Sequence, residues 1–161
     1  MVELLAPVGS KDALIAAVES GANAVYLAGK MFGARAYAAN FTQDELVEAI
    51  QFAHRRDVLV DVAVNTVVDN SEFEELAEYL RFLYHAGADA IIVQDLGVAK
   101  LAREIVPDLP LHASTQMTVH NIEGVRFLKE LGFTRVVLSR ELSIEDIQYI
   151  CQNIDIEIEV F

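Results

Sequence analysis

Val58-Leu-Val-Asp-Val-Ala-Val-Asn65 alternates without a break, with valine at every even position and Leu59, Asp61, Ala63 and Asn65 at the odd ones. Alternation with a period of two belongs to a β-strand, whose successive side chains point to opposite faces. One face of this strand is wholly aliphatic; the other mixes apolar, small and polar groups. A parallel barrel strand has this character, because its outer face lies under helices and its inner face fills the barrel. The valines are therefore expected to face outward, and Asp61 and Asn65 to face the axis.

The same unit repeats on both sides of this stretch. Strand, turn and helix recur six times and a seventh strand follows. Strands are expected over residues 3–5, 24–27, 58–64, 90–93, 109–113, 135–138 and 154–160. Ser10 and Ser143 read as helix N-caps, and Thr42-Gln-Asp-Glu45 and Ser71-Glu-Phe-Glu74 as capping boxes that open helices two and three. Helix three carries Phe73, Leu76, Ala77, Leu80, Leu83 and Tyr84 at the spacing of one buried face. Helices four and five are expected near 98–106 and 123–131. Gly21-Ala-Asn-Ala-Val25, Gly87-Ala-Asp-Ala-Ile91 and Gly132-Phe-Thr-Arg-Val136 each run a glycine helix stop into the next strand. Asp57 stands at such a helix end, where glycine is expected. Strands alternating with helices indicate βαβ units. The predicted fold is α/β, a partial TIM-like (β/α) barrel of seven parallel strands with six helices, in one domain spanning residues 1–161. A closed eight-stranded barrel takes about 250 residues, so the 161 residues of this chain are expected to form a barrel lacking its last unit.

Composition narrows the class. Hydrophobic residues make up 53% of the chain, enough for a sizeable core. No apolar run reaches the roughly 18 residues of a membrane span, and the N-terminus has no signal-peptide pattern. The single cysteine, Cys151, gives no disulfide framework, so a cytoplasmic protein is expected. Cys151 sits beside Ile147 and Ile150 and reads as a core thiol rather than a nucleophile. The net charge of -13 disfavours free-standing binding to a polyanion.

Alternation in the other strands selects further axial groups. Strand five offers His112, Ser114 and Gln116, and strand seven offers Asp155, Glu157 and Glu159 opposite a face of isoleucines and Val160. Carboxylates inside a barrel repel one another and lose hydration, so they need a cation. Arg140, at the end of strand six, is the candidate. Active sites of this fold lie at the C-terminal ends of the strands. Asn65, Gln94, Ser114, Gln116, Arg140 and Glu159 all fall there and are the candidate substrate-binding residues. Each alone could serve only to cap a helix or satisfy a turn; gathered at one rim, they indicate a ligand site. Arg35, in the loop after strand two, reads either as an anion clamp or as a solvated loop residue, and His112 either as a core residue or as a functional one. No HxH or HExxH pair is present, so no metal site is expected.

Several stretches resemble the collagenase-like peptidase family U32: Glu3-Leu-Leu-Ala-Pro-Val-Gly-Ser10, Ile92-Val-Gln-Asp-Leu-Gly97, Leu111-His-Ala-Ser-Thr-Gln-Met-Thr-Val-His-Asn121 and Arg135-Val-Val-Leu-Ser-Arg-Glu-Leu142. The resemblance implies the N-terminal barrel portion of such a protein. Family members named as peptidases are joined by proteins of RNA hydroxylation, acting in prephenate-dependent 5-hydroxylation of tRNA uridine or on an rRNA cytidine. The resemblance therefore implies RNA base hydroxylation through the full-length protein. The alternatives are a peptidase of unknown mechanism, or a non-catalytic fragment that assembles with partners. It also implies an iron–sulfur cluster ligated by cysteines downstream of Glu159-Val-Phe161, with no cofactor held by this chain. RNA is the expected partner, with no membrane. Unpaired strand edges predict self-association or docking of a C-terminal domain.

Overall fold

The computed structural model describes residues 2–34 and 40–161. Seven parallel strands pair strictly in chain order: β1 (Leu5–Pro7), β2 (Ala24–Ala28), β3 (Leu59–Val64), β4 (Ala90–Val93), β5 (Leu111–Ala113), β6 (Arg135–Val137) and β7 (Glu157–Glu159). Between them run α1 (Lys11–Glu19), α2 (Gln43–His54), α3 (Phe73–Ala86), α4 (Leu96–Ile105), α5 (Ile122–Glu130) and α6 (Ile144–Asn153). The fold is the expected α/β partial barrel. Each βαβ unit carries the chain one strand further round, as in a TIM barrel.

The outer layer holds the main core. Val58, Val60, Val62 and Val64 join Leu46, Ile50, Leu80 and Leu83 of α2 and α3 in one buried cluster. Burying each such side chain contributes about 1.5–3 kcal/mol. Asp61 faces the other way, into the barrel, as the alternation requires. Gly21, Gly87 and Gly132 end helices at φ near 90°, a left-handed conformation that costs glycine nothing. Asp57 holds the equivalent turn with φ 58, which aspartate tolerates better than most residues.

Some local expectations are corrected. The capping box ahead of α3 is formed by Asp69 and Glu72 around a 3-10 turn at Asn70–Glu72, not by Ser71 and Glu74. The buried stripe of α3 includes Tyr79, while Tyr84 lies exposed at its edge. Cys151 is exposed, because α6 turns Ile150 fully inward and leaves its neighbour on the solvent side. Asp155 is also exposed, since pairing with β6 begins only at Glu157. Arg35 lies outside the described residues. Among the described residues, no helix is long and apolar enough to cross a membrane.

Candidate functional site

Beneath the rim, the barrel interior holds a charged floor. Arg135 enters it from the first residue of β6 and is largely buried. Its guanidinium lies 2.7 Å from Glu157, 2.9 Å from Glu3 and 3.6 Å from Asp61. The Asp61 carboxylate is also 3.1 Å from His112 Nδ1. Burial by itself would weaken the positive form of Arg135, but bonds from Glu157 and Glu3 more than offset it and hold its pKa above the usual value. The cation that neutralises strand seven is therefore Arg135, not Arg140. The alternation contained the signal, since Arg135 and Val137 fall on one face of β6.

Above this floor lies a cleft of about 390 Å³ at the C-terminal ends of the strands. Asn65, Ser114, Gln116, Arg140 and Glu159 all line it. Asn65 is fixed on three sides: its Oδ1 accepts from Ala34 N at 3.0 Å, its Nδ2 donates to Gln116 Oε1 at 2.8 Å, and its backbone carbonyl accepts from Gln94 Nε2 at 2.7 Å. Gln94 thus braces Asn65 from beside the cleft instead of lining it. Ser114 Oγ caps the turn at Thr115–Met117 by accepting from Gln116 N, and donates to Gln116 Oε1 at 3.2 Å. Two donors converge on Gln116 Oε1, and its Nε2 has no hydrogen-bond partner among the described residues.

Arg140 is exposed, and its guanidinium lies over the Phe161 ring, 4.7 Å from the centroid. That contact gives the rim a planar wall with a positive charge. Phe161 and Tyr26 line the cleft as well, and neither was singled out from the sequence. Asp95, another rim carboxylate, is spent on capping α4 through Gly97 N and Val98 N. His120 is exposed on the loop before α5.

Glu159 occupies the boundary between floor and cleft. Its side chain is 15% exposed, and Oε2 is buried with no hydrogen bond among the described residues, 3.9 Å from Arg135. Burial pushes its carboxyl above the ordinary range, against the pull of Arg135 and His112 and with help from Asp61 and Glu3.

A wider groove of about 1000 Å³ runs between α1 and α2, lined by exposed residues such as Lys11 and Glu48, which pair with each other at 3.4 Å. Only Ser10 and the loop residues Lys30, Asn40 and Phe41 bring it to the strand ends, and the rest of its lining follows α1 and α2; this fold places its chemistry at the barrel mouth, so the smaller cleft is the candidate site.

The description "Peptidase family U32" matches residues 9–161. This chain belongs to peptidase family U32. Among curated relatives, this U32 protein is 42% identical to the 23S rRNA 5-hydroxycytidine C2501 synthase of Escherichia coli, over 99% of the chain and 24% of that relative. It is 39% identical to tRNA hydroxylation protein P1 of Bacillus subtilis, over 99% of the chain and 38% of that relative. It therefore spans well under half the length of either. Among solved structures, the U32 peptidase Mk0906 superposes with a TM-score of 0.80 at 16% identity, over 99% of this chain and 68% of that one, which supports the fold alone.

The iron–sulfur cluster implied by the family resemblance does not fit this chain's own donors. Cluster ligation needs several thiolates, and Cys151 is one exposed thiol on α6.

Proposed function

We propose that this chain supplies the substrate-binding barrel of a protein that hydroxylates a pyrimidine base in RNA. Identities of 42% and 39% to an rRNA hydroxycytidine synthase and a tRNA hydroxylation protein, each over nearly the whole chain, support the reaction class. The observation that carries the assignment to this site is the cleft itself. Its volume falls within the roughly 300–1,000 Å³ usual for small-molecule sites. Its wall combines a fixed amide pair, Asn65 and Gln116, with an aromatic ring and a guanidinium, Phe161 and Arg140. A nucleobase taken out of its stack is read by hydrogen bonds to its edge and by stacking. The net charge of -13 opposes general attraction to a phosphate backbone, so the role assigned to this chain is reading the base.

The test is the RNA of a strain lacking the gene. Digestion to nucleosides and mass spectrometry should show loss of a hydroxylated pyrimidine, restored by the full-length gene. Unchanged nucleosides in both tRNA and rRNA would refute the assignment.

A further inference from the structure

Four carboxylates, Glu3 before β1, Asp61 on β3 and Glu157 and Glu159 on β7, surround one guanidinium, Arg135 on β6, and one imidazole, His112 on β5. Three of the four are paired at short range: Glu3 and Glu157 with Arg135, and Asp61 with His112. Glu159 is the odd one out. It stands 3.9 Å from an already engaged Arg135, and its Oε2 accepts no hydrogen bond among the described residues. It is also the member of the cluster that lines the cleft. Like charges crowded together favour a proton on one of them, and Glu159, the more buried of the two on β7 and the least paired of the four, gains most from it.

We propose that the Glu159 carboxyl is the group that reads the hydrogen-bonding edge of a pyrimidine base held in the cleft, with Arg140 and Phe161 forming the wall beside the ring. This rests on the reading of the cleft as an RNA-base site. A neutral carboxyl offers one acceptor and one donor side by side. Uracil presents N3–H beside the O4 carbonyl, and cytosine presents its N4 amino group beside N3. A neutral carboxyl turned so that both oxygens face the cleft satisfies both pairs, accepting from the N–H and donating to the adjacent acceptor; Oε2, buried as the side chain stands, is the oxygen that must turn. An ionised carboxylate would satisfy the N–H and leave the ring acceptor facing a negative charge. Burial raises the carboxyl's pKa in the direction that keeps this neutral form.

Binding of nucleosides to the full-length protein, measured by calorimetry or ligand-detected NMR, tests the proposal without reference to turnover. Uridine, cytidine and 3-methyluridine are the probes, and Glu159→Gln and Glu159→Leu the variants. The glutamine amide keeps one acceptor beside one donor; leucine keeps only bulk. Uridine and cytidine should bind wild type and Glu159→Gln alike, and should bind Glu159→Leu about tenfold more weakly, the loss expected for one or two hydrogen bonds. 3-Methyluridine should bind poorly throughout. Equal binding of uridine and 3-methyluridine, undiminished binding to Glu159→Leu, or loss in Glu159→Gln as large as in Glu159→Leu would each overturn it. Glu159-dependent binding in a protein whose deletion leaves RNA hydroxylation intact would uphold the base-reading role and refute the hydroxylation reading alone.

Discussion

Arg135 on β6 grips Glu157 on β7 through both Nε and Nη2, at 2.8 and 2.7 Å. The same guanidinium reaches Glu3, just ahead of β1, at 2.9 Å. One side chain thus ties the two edges of an open seven-stranded sheet together across the barrel interior. Arginine suits this role because its planar fork serves several carboxylates at once.

Replacing Arg135 with methionine should destabilise the protein by about 3–5 kcal/mol, the cost of leaving a buried carboxylate without its cation. Asp61, almost fully buried, bears most of that loss, since Glu157 is largely exposed. Lysine at the position should recover only part of it. Urea denaturation provides the measurement, and a loss below that of an ordinary surface substitution would contradict the role.

Arg140 should behave in the opposite way. It is exposed and makes a cation–π contact with Phe161, worth about 0.5–1 kcal/mol at an exposed site. Arg140→Lys should therefore leave the thermal midpoint nearly unchanged and impair RNA hydroxylation by the full-length protein. A large fall in the midpoint with hydroxylation intact would assign Arg140 to the scaffold.

The strand alternation made the barrel and its inner face legible, because a period of two leaves little freedom once helices cover one side. It placed Asp61, His112, Glu157 and Glu159 inside together. It did not identify their cation. Arg135 lies among buried valines at the start of a strand, whereas Arg140 lies at the rim where active-site residues gather, and that position drew the sequence reading to the wrong arginine. Near α3 two overlapping patterns, Asp69-x-x-Glu72 and Ser71-x-x-Glu74, both satisfy the capping rule. The 3-10 turn decides between them, with Asp69 accepting from Ser71 N and Glu72 accepting from Asp69 N. Gln94 follows its strand as directly as Asn65 and Ser114 follow theirs, but its amide is drawn to the Asn65 carbonyl, a contact between strand ends that no local pattern encodes.

Glu159 predicts a particular pH dependence. Its carboxyl pKa is raised on folding, so the native state keeps a proton that the unfolded chain releases. The stabilisation linked to that proton is fully present below the ordinary value of 4.5 and is lost as pH rises through the higher native value. Glu159→Gln cannot titrate, so its stability relative to wild type should increase with pH across that window. Parallel stability curves for the two proteins would contradict the assignment.

Gly29 and Tyr79 form a coupled pair on the outer side of the sheet. A Cβ at Gly29 would collide with the Tyr79 hydroxyl and come within 3.1 Å of Leu46 Cδ1. The Tyr79 hydroxyl is buried without a hydrogen bond among the described residues, and burial raises its pKa. Gly29→Ala should cost about 1–3 kcal/mol through overpacking. Tyr79→Phe should be neutral or stabilising by up to about 1 kcal/mol, since it removes an unsatisfied hydroxyl. Together they should cost less than the sum of the two, which thermal unfolding of the double variant would reveal. Strict additivity would show that the residues do not meet.

The same open geometry predicts self-association. β1 and β7 each pair on one side only, and Leu4, Val160 and Phe161 lie exposed beside those edges. Unpaired edges and contiguous apolar surface are templates for another chain. Light scattering of the purified 161-residue chain should show species larger than a monomer that dissociate on dilution. A cooperative monomer at every concentration would contradict this.

We propose that the cleft closed by Asn65, Gln116 and Arg140 holds the base that becomes hydroxylated. The most direct test is complementation of the deletion strain with the full-length gene carrying Gln116→Ala, read by nucleoside mass spectrometry of tRNA and rRNA. Gln116 is exposed and its side chain supports no core packing, so the variant should fold normally and fail to restore the hydroxylated pyrimidine. Full restoration of that nucleoside by Gln116→Ala would contradict the account.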